Sequence, residues 1–196
     1  DKSKTVTSVF EKQPPFYLDD NGVTIKARDW VTVGSTGELK GITYKAVDKN
    51  ELVNMIKNKE DLTKIVTTLV TNLDRIFCFC VPGVIPNNEY LLNFNQNIAS
   101  WDVSNVTSML STFEDAHSFN QDISKWDVSN VTDMKRMFFL SKKINQDLSN
   151  WDVSKVTRMT HMFSSAYVFN KPVGKWDMSN VKDIAGMFQR AYLFNQ

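Results

Sequence analysis

Apolar positions in the second half of the chain recur at one fixed step. Trp101, Trp126, Trp151 and Trp176 lie 25 residues apart, and Asp102, Asp127, Asp152 and Asp177 follow the same step. So do Val106, Val131, Val156 and Val181, and the corner positions Phe94, Phe119, Ile144, Phe169 and Phe194. One full unit reads "FNQDISKWDVSNVTDMKRMF" from Phe119 to Phe138. A fixed internal period means that every unit meets the same surroundings. The two halves of a unit differ in pattern. In the first, Ile123, Trp126, Val128 and Val131 predict a short strand, with Trp126 and Val128 on one face and Asp127 on the other. In the second, Met134, Met137, Phe138 and Ser141 follow the i, i+3, i+4, i+7 rule of a helical face. Thr132, or Asn130 before it, is placed to cap that helix. About two turns of helix do not survive alone.

A single unit cannot bury its indole and its thioethers, but stacked units can. The expected fold is therefore an α/β solenoid, leucine-rich-repeat-like, built of 25-residue strand-plus-short-helix coils with parallel strands. Its core columns would be the four tryptophans, then Met109, Met134 and Met159, then Phe113, Phe138, Phe163 and Phe188. The methionines read as packing rather than as metal ligands, because Met fills irregular gaps well.

Four regular units and the start of a fifth occupy residues 94–196. Residues 62–93 read as a degenerate first coil, since "VTNLDRIF" (Val70 to Phe77) matches "VTDMKRMF" (Val131 to Phe138) position by position. About 11 residues are inserted within "CFCVPGVIPNNEYLLN", where Pro82, Gly83 and Pro86 forbid a regular helix. A capping loop is the simplest reading of the insertion, and a binding loop is the other. Residues 16–61 read as a small α+β cap. "GVTIKA", "DWVTVG" and "GITYKAV" predict strands, and "DKNELVNMIKN" predicts a helix capped by Asp48 and Glu51 with Leu52, Met55 and Ile56 inward. Residues 1–15 form a polar lead-in ending in Pro-Pro. "FNQ" at Phe194 to Gln196 leaves an open coil, expected to be continued by more chain or covered by another.

The 23 basic and 22 acidic residues nearly cancel, which argues against a nucleic-acid partner. The longest apolar run, near Ile76 to Ile85, is too short to span a bilayer. Cys78 and Cys80 are one residue apart, a spacing that strains a bridge, so two semi-buried thiols are expected. No phosphate loop, nucleophile elbow or metal-spaced histidine cluster is present, and no catalytic residue or metal ligand is expected. His117 and His161 fill slots where other units place Lys142, Tyr167 and Tyr192, or Ser111, Arg136 and Gly186, which reads as solvent-facing. The row Asp102, Asp127, Asp152, Asp177 is the candidate binding feature. Stacked carboxylates repel. Asx-type turns in "D-V-S-N" would relieve this, and so would a cation such as Ca²⁺; no other cofactor is indicated. Asn95, Asn120, Asn145, Asn170 and Asn195 predict an amide ladder at one corner.

The unit resembles the 25-residue repeat of the bacterial BspA-like leucine-rich-repeat surface proteins, and within them the mycoplasma-type lipoprotein repeats with consensus FNQDIS-x-WDVSNVT-x-M-x-x-MF. The likeness covers residues 94–196 densely and 62–77 loosely. Departures are the loop after Phe77, Lys171-Pro172-Val173 and Ile144. The resemblance implies an extracellular or cell-surface protein for adhesion, with a protein or glycan ligand. A different class is also open: a structural protein that self-associates through its open C-terminal coil into filaments or layers. An enzyme is not expected.

Overall fold

A computed structural model gives the structure of residues 13–78 and 89–196. The lead-in before Gln13 and the inserted segment 79–88, with Cys80, lie outside the described residues. Strand β1 (Phe16–Leu18) pairs antiparallel with β2 (Ile25–Ala27), Phe16 opposite Ala27. Strand β3 (Thr36–Leu39) pairs antiparallel with β4 (Ile42–Ala46), and β4 pairs in parallel with β5 (Ile65–Val66). The β3–β4 turn places Lys40 and Gly41 at φ 52° and 78°, the left-handed pair that suits a tight hairpin. Helix α1 (Lys49–Lys57) begins where the Asp48 carboxylate accepts the Glu51 amide at 2.9 Å, and buries Leu52, Met55 and Ile56. Helix α2 is a single turn, Glu89–Leu92. "DWVTVG" is not a strand: the Val31 amide bonds to Arg28 O and the Ser35 amide to Thr32 O, two consecutive turns.

The α/β solenoid of strand-plus-helix coils is not formed. The named strands of the described residues make two small sheets, one two-stranded and one three-stranded and mixed, and both lie before residue 67. Neither helix falls in the Met-Lys-Arg-Met-Phe half of a unit. The reason is in the backbone. Ser111, Arg136, His161 and Gly186 sit at φ 54–62°, as do Asp115, Leu140, Ser165 and Arg190 at φ 59–62°. A right-handed helix cannot pass through such residues. Their amides also leave the chain's own axis. Met109, Ser111, Phe113 and Asp115 donate to the carbonyls of Asp133, Lys135, Met137 and Phe139 in the following unit, at 2.8–2.9 Å. The amides between them close i→i−3 turns, as from Thr112 to Met109 and from Ala116 to Phe113. The expected strand also fails to extend. Asp127 folds the chain by accepting the Ser129 amide, and among the described residues the strand-type pairing between units is limited to isolated parallel bridges, at Asn72, Ser108, Asp133, Arg158 and Asp183.

The repeated side chains are nevertheless internal. Trp101, Trp126, Trp151 and Trp176 are 0–6% exposed, and Met109, Met134, Met159, Phe113, Phe138 and Phe163 are fully buried, whereas Phe188 is half-buried. Phe77, Phe113, Phe138, Phe163 and Phe188 form one row of nearly parallel rings with centroids 5.4–5.6 Å apart. Each indole Nε1 donates to a carbonyl of the unit before it: Trp126 to Ile98, Trp151 to Ile123 and Trp176 to Leu148, at 2.9–3.2 Å. One apolar cluster runs from Val47 and α1 to Met187. A second, smaller one lies between the sheets around Phe16, Tyr44 and Val66.

The Phe row gives a direct test. Phe138→Ala removes a ring packed on both sides, and is expected to cost about 3–5 kcal/mol. Phe188→Ala, half-buried, costs less. Urea unfolding of the two variants measures the difference.

Candidate functional site

The Asp row comes first. Asp102, Asp127, Asp152 and Asp177 each accept, through Oδ1, the amide two residues on, from Ser104, Ser129, Ser154 and Ser179 at 3.0–3.1 Å. Of the two arrangements open for this row, the Asx turn is the one present. These bonds hold the Asp152 and Asp177 carboxyls below their ordinary value, the Ser154 and Ser179 side chains being the largest influence in each case. Asp102 differs from the others: it is buried, and its second oxygen accepts from the Thr68 hydroxyl at 2.6 Å. Among the described residues no group of three or more His, Cys, Asp and Glu side chains is placed to hold a metal ion. The Asn row does form a ladder along its corner, bonded from backbone amide to side-chain oxygen rather than between side chains. Each side-chain oxygen accepts the backbone amide of the next Asn, as from Asn120 to Asn95 and from Asn145 to Asn120, at 2.9–3.0 Å.

The more promising surface is built by the left-handed positions. These slots differ between units in residue type and in exposure, from buried Ser111 and Ser165 to exposed Arg75 and Arg190. Arg75, Ser111, Arg136, His161 and Gly186 make one such column. A hollow of about 390 Å³ opens there, lined by Arg75, Leu110, Ser111, Glu114, Lys135, Arg136 and Arg158. Four of these seven are cationic, so the hollow is basic although the chain as a whole is near neutral. Arg136 is clamped by buried Glu114 at 2.6 Å and lies over the Phe139 ring at 4.2 Å; its buried Nε has no acceptor. Arg158 is held by buried Asp133 at 2.5 Å. Beside Arg75, Lys49 reaches from α1 to Asn72 Oδ1 at 2.5 Å. Burial lowers the Lys49 pKa, Asp74 opposes this, and Arg75 adds to it. At the far end of the column, a Cβ added to Gly186 would overlap the His161 ring.

The histidines are half-buried rather than solvent-facing. His117 Nε2 lies 3.7 Å from Asp115; burial, then Lys142, lowers its pKa, while burial raises that of Asp115. His161 stands edge-on to Phe139 with its Nδ1 buried and unpartnered. Nothing brings the two histidines together. Cys78 is buried and disulfide-bonded, which corrects its reading as a thiol. No helix among the described residues is long and apolar enough to cross a membrane.

A protein-family model matches residues 47–139 and again residues 83–196. The chain belongs to that family, described as Mycoplasma protein of unknown function, DUF285. Comparison with curated proteins and with solved structures gave no match. The first of the two DUF285 matches begins at Val47, just ahead of α1, so it takes in the helix that shares the repeats' apolar cluster. The basic hollow of this DUF285 chain was not read from the sequence. A signal existed: Arg75 and Arg136 occupy the same slot of the aligned "DRIF" and "KRMF" segments, with Lys135 adjacent. What hid it was the helical reading, which spreads consecutive side chains around an axis instead of bringing slots of successive units side by side.

The Asp turns predict a sign for acid stability. A carboxyl held below its ordinary value of 3.8 stabilises the fold above that value. That contribution is lost as pH falls through the depressed native pKa. The thermal midpoint should therefore drop on acidification below about pH 4. An Asp152→Asn, Asp177→Asn double variant should drop less steeply in melts followed by circular dichroism.

Proposed function

We propose that this chain is a non-enzymatic recognition module of a cell-surface or secreted bacterial protein, binding a protein or glycan across the face that carries the left-handed slots. The observation that carries the reading is a division of labour within the unit. The apolar side chains that recur at each step are buried in the stack, while slots that change from unit to unit, Arg75, Ser111, Arg136 and Lys135 among them, line a basic hollow. A stack built only to persist has no use for varied, charge-bearing slots on a single side. The likeness of the repeat to BspA-like surface proteins supports the same class and an extracellular place of work. A second reading, assembly of the chain with copies of itself, draws support from exposed Ile184 and Tyr192, whose equivalents Met159 and Tyr167 are buried and half-buried.

Biolayer interferometry against a panel of matrix proteins and polysaccharides tests the proposal. Saturable binding to at least one member is expected, weakened about tenfold by Lys135→Glu and unchanged by Lys143→Glu on an exposed site elsewhere, the loss of one charge contact being on the order of 1–2 kcal/mol. Absence of saturable binding, together with a mass that grows with concentration in light scattering, would transfer support to assembly.

A further inference from the structure

We propose that the basic hollow holds a sulfate or carboxylate group of an anionic polysaccharide, with Arg75 and Lys135 as the contacting cations. This rests on the recognition reading and names the ligand class for the same face. The charges decide the sign. Glu114 neutralises Arg136 and Asp133 neutralises Arg158, both at hydrogen-bond distance. Arg75 and Lys135 line the same hollow and carry no ion pair among the described residues, Asp183 feeling the Lys135 charge only at longer range. The hollow thus keeps a surplus of positive charge that the protein does not use.

Its walls are prepared for a ligand. Arg136 is fixed between a carboxylate and an aromatic ring, so little side-chain freedom is lost when an anion arrives. The volume of about 390 Å³ suits a single sugar-sized group, and Leu110 supplies the one apolar side chain of the lining. Successive units advance by about the 5.4–5.6 Å of the Phe row, and Arg75 and Lys135 stand two units apart, so a chain of repeated anions lying along the stack would meet one and then the other.

Other polyanions fit less well. A single-stranded nucleic acid needs exposed rings on which to stack its bases, and the lining has none. An acidic peptide adding itself as a strand needs free backbone amides. Those of Arg75, Ser111 and Arg136 are already bonded to the next unit.

The test is fluorescence polarisation of the full chain with a labelled heparin-derived hexasaccharide. Its fully desulfated counterpart, which keeps only carboxylates, a neutral dextran oligosaccharide, an oligoglutamate and an oligothymidylate complete the panel. Binding of the sulfated or the desulfated oligosaccharide is expected, weakening as salt rises; comparison of the two separates sulfate from carboxylate recognition. The variant Arg75→Asn, Lys135→Gln should weaken it by about tenfold or more, while Lys142→Gln, Lys143→Gln should stay within about twofold. Asn tolerates the left-handed backbone at position 75, and an unchanged thermal melt confirms the fold. Tighter binding of the peptide or the oligonucleotide, binding indifferent to Arg75 and Lys135, or binding of neither glycan would each overturn the proposal. A protein from the matrix panel bound without any glycan would overturn this ligand class and leave the recognition module standing; no ligand at all would overturn both.

Discussion

The rest of the repeat region depends on where alternate amides point. In the Met-Phe half of each unit, every second N–H leaves its own turn and bonds to the neighbouring unit, while the one between closes a local i→i−3 turn. This alternation requires a left-handed residue twice per unit, and in all but one case that residue is not glycine. Each such residue costs about 1–2 kcal/mol. Each inter-unit bond returns about 0.5–1.5 kcal/mol net. Full burial of one large apolar side chain adds about 1.5–3 kcal/mol. With one Trp, one or two Phe and one or two Met buried per inner unit, the apolar term outweighs the strain. The turn geometry is tolerable because it delivers the rings into their row.

Side-chain oxygens keep this geometry regular. Asx turns recur at three corners: at Asp122 and Asp147, along the Asp102 to Asp177 row, and at Asn72, Asp133 and Asp183. Each replaces a ladder bond that an ordinary strand would have made, so the chain turns where a strand would have run on. The indole bonds act in the perpendicular direction and tie each unit to the one before it. At the start of the row, α1 supplies Leu52 and Ile56 to the same apolar cluster, which covers the first turn.

What could be read from the sequence was the direction of side chains, and what could not was the path of the backbone between them. Spacing of i, i+3, i+4 and i+7 identified Met134, Met137, Phe138 and Ser141 as inward, and all four are buried. A run of i→i−3 turns with left-handed joints produces the same inward set as a helix. Apolar periodicity cannot separate the two. Arg136 and Leu140 carry no local mark of positive φ, as a glycine would, because their conformation is imposed by bonds to another unit. The Asx turns were legible, since "D-V-S" states its own local chemistry. The α1 cap at Asp48 was legible for the same reason. The basic hollow was not, because it joins slots of three or more units whose juxtaposition depends on the unread path.

The crowding of His161 against Gly186 has a wider meaning for this face. The His161 side chain leans over the equivalent position of the next unit, so the two must share one volume. Slots in this column are therefore not free variables. Small Ser111 follows Arg75 and Gly186 follows His161, whereas Arg136 and His161 are large neighbours, Arg136 being drawn to Glu114. Where two such slots touch, an exchange in one unit constrains its neighbour, and the usable combinations are fewer than the number of positions suggests.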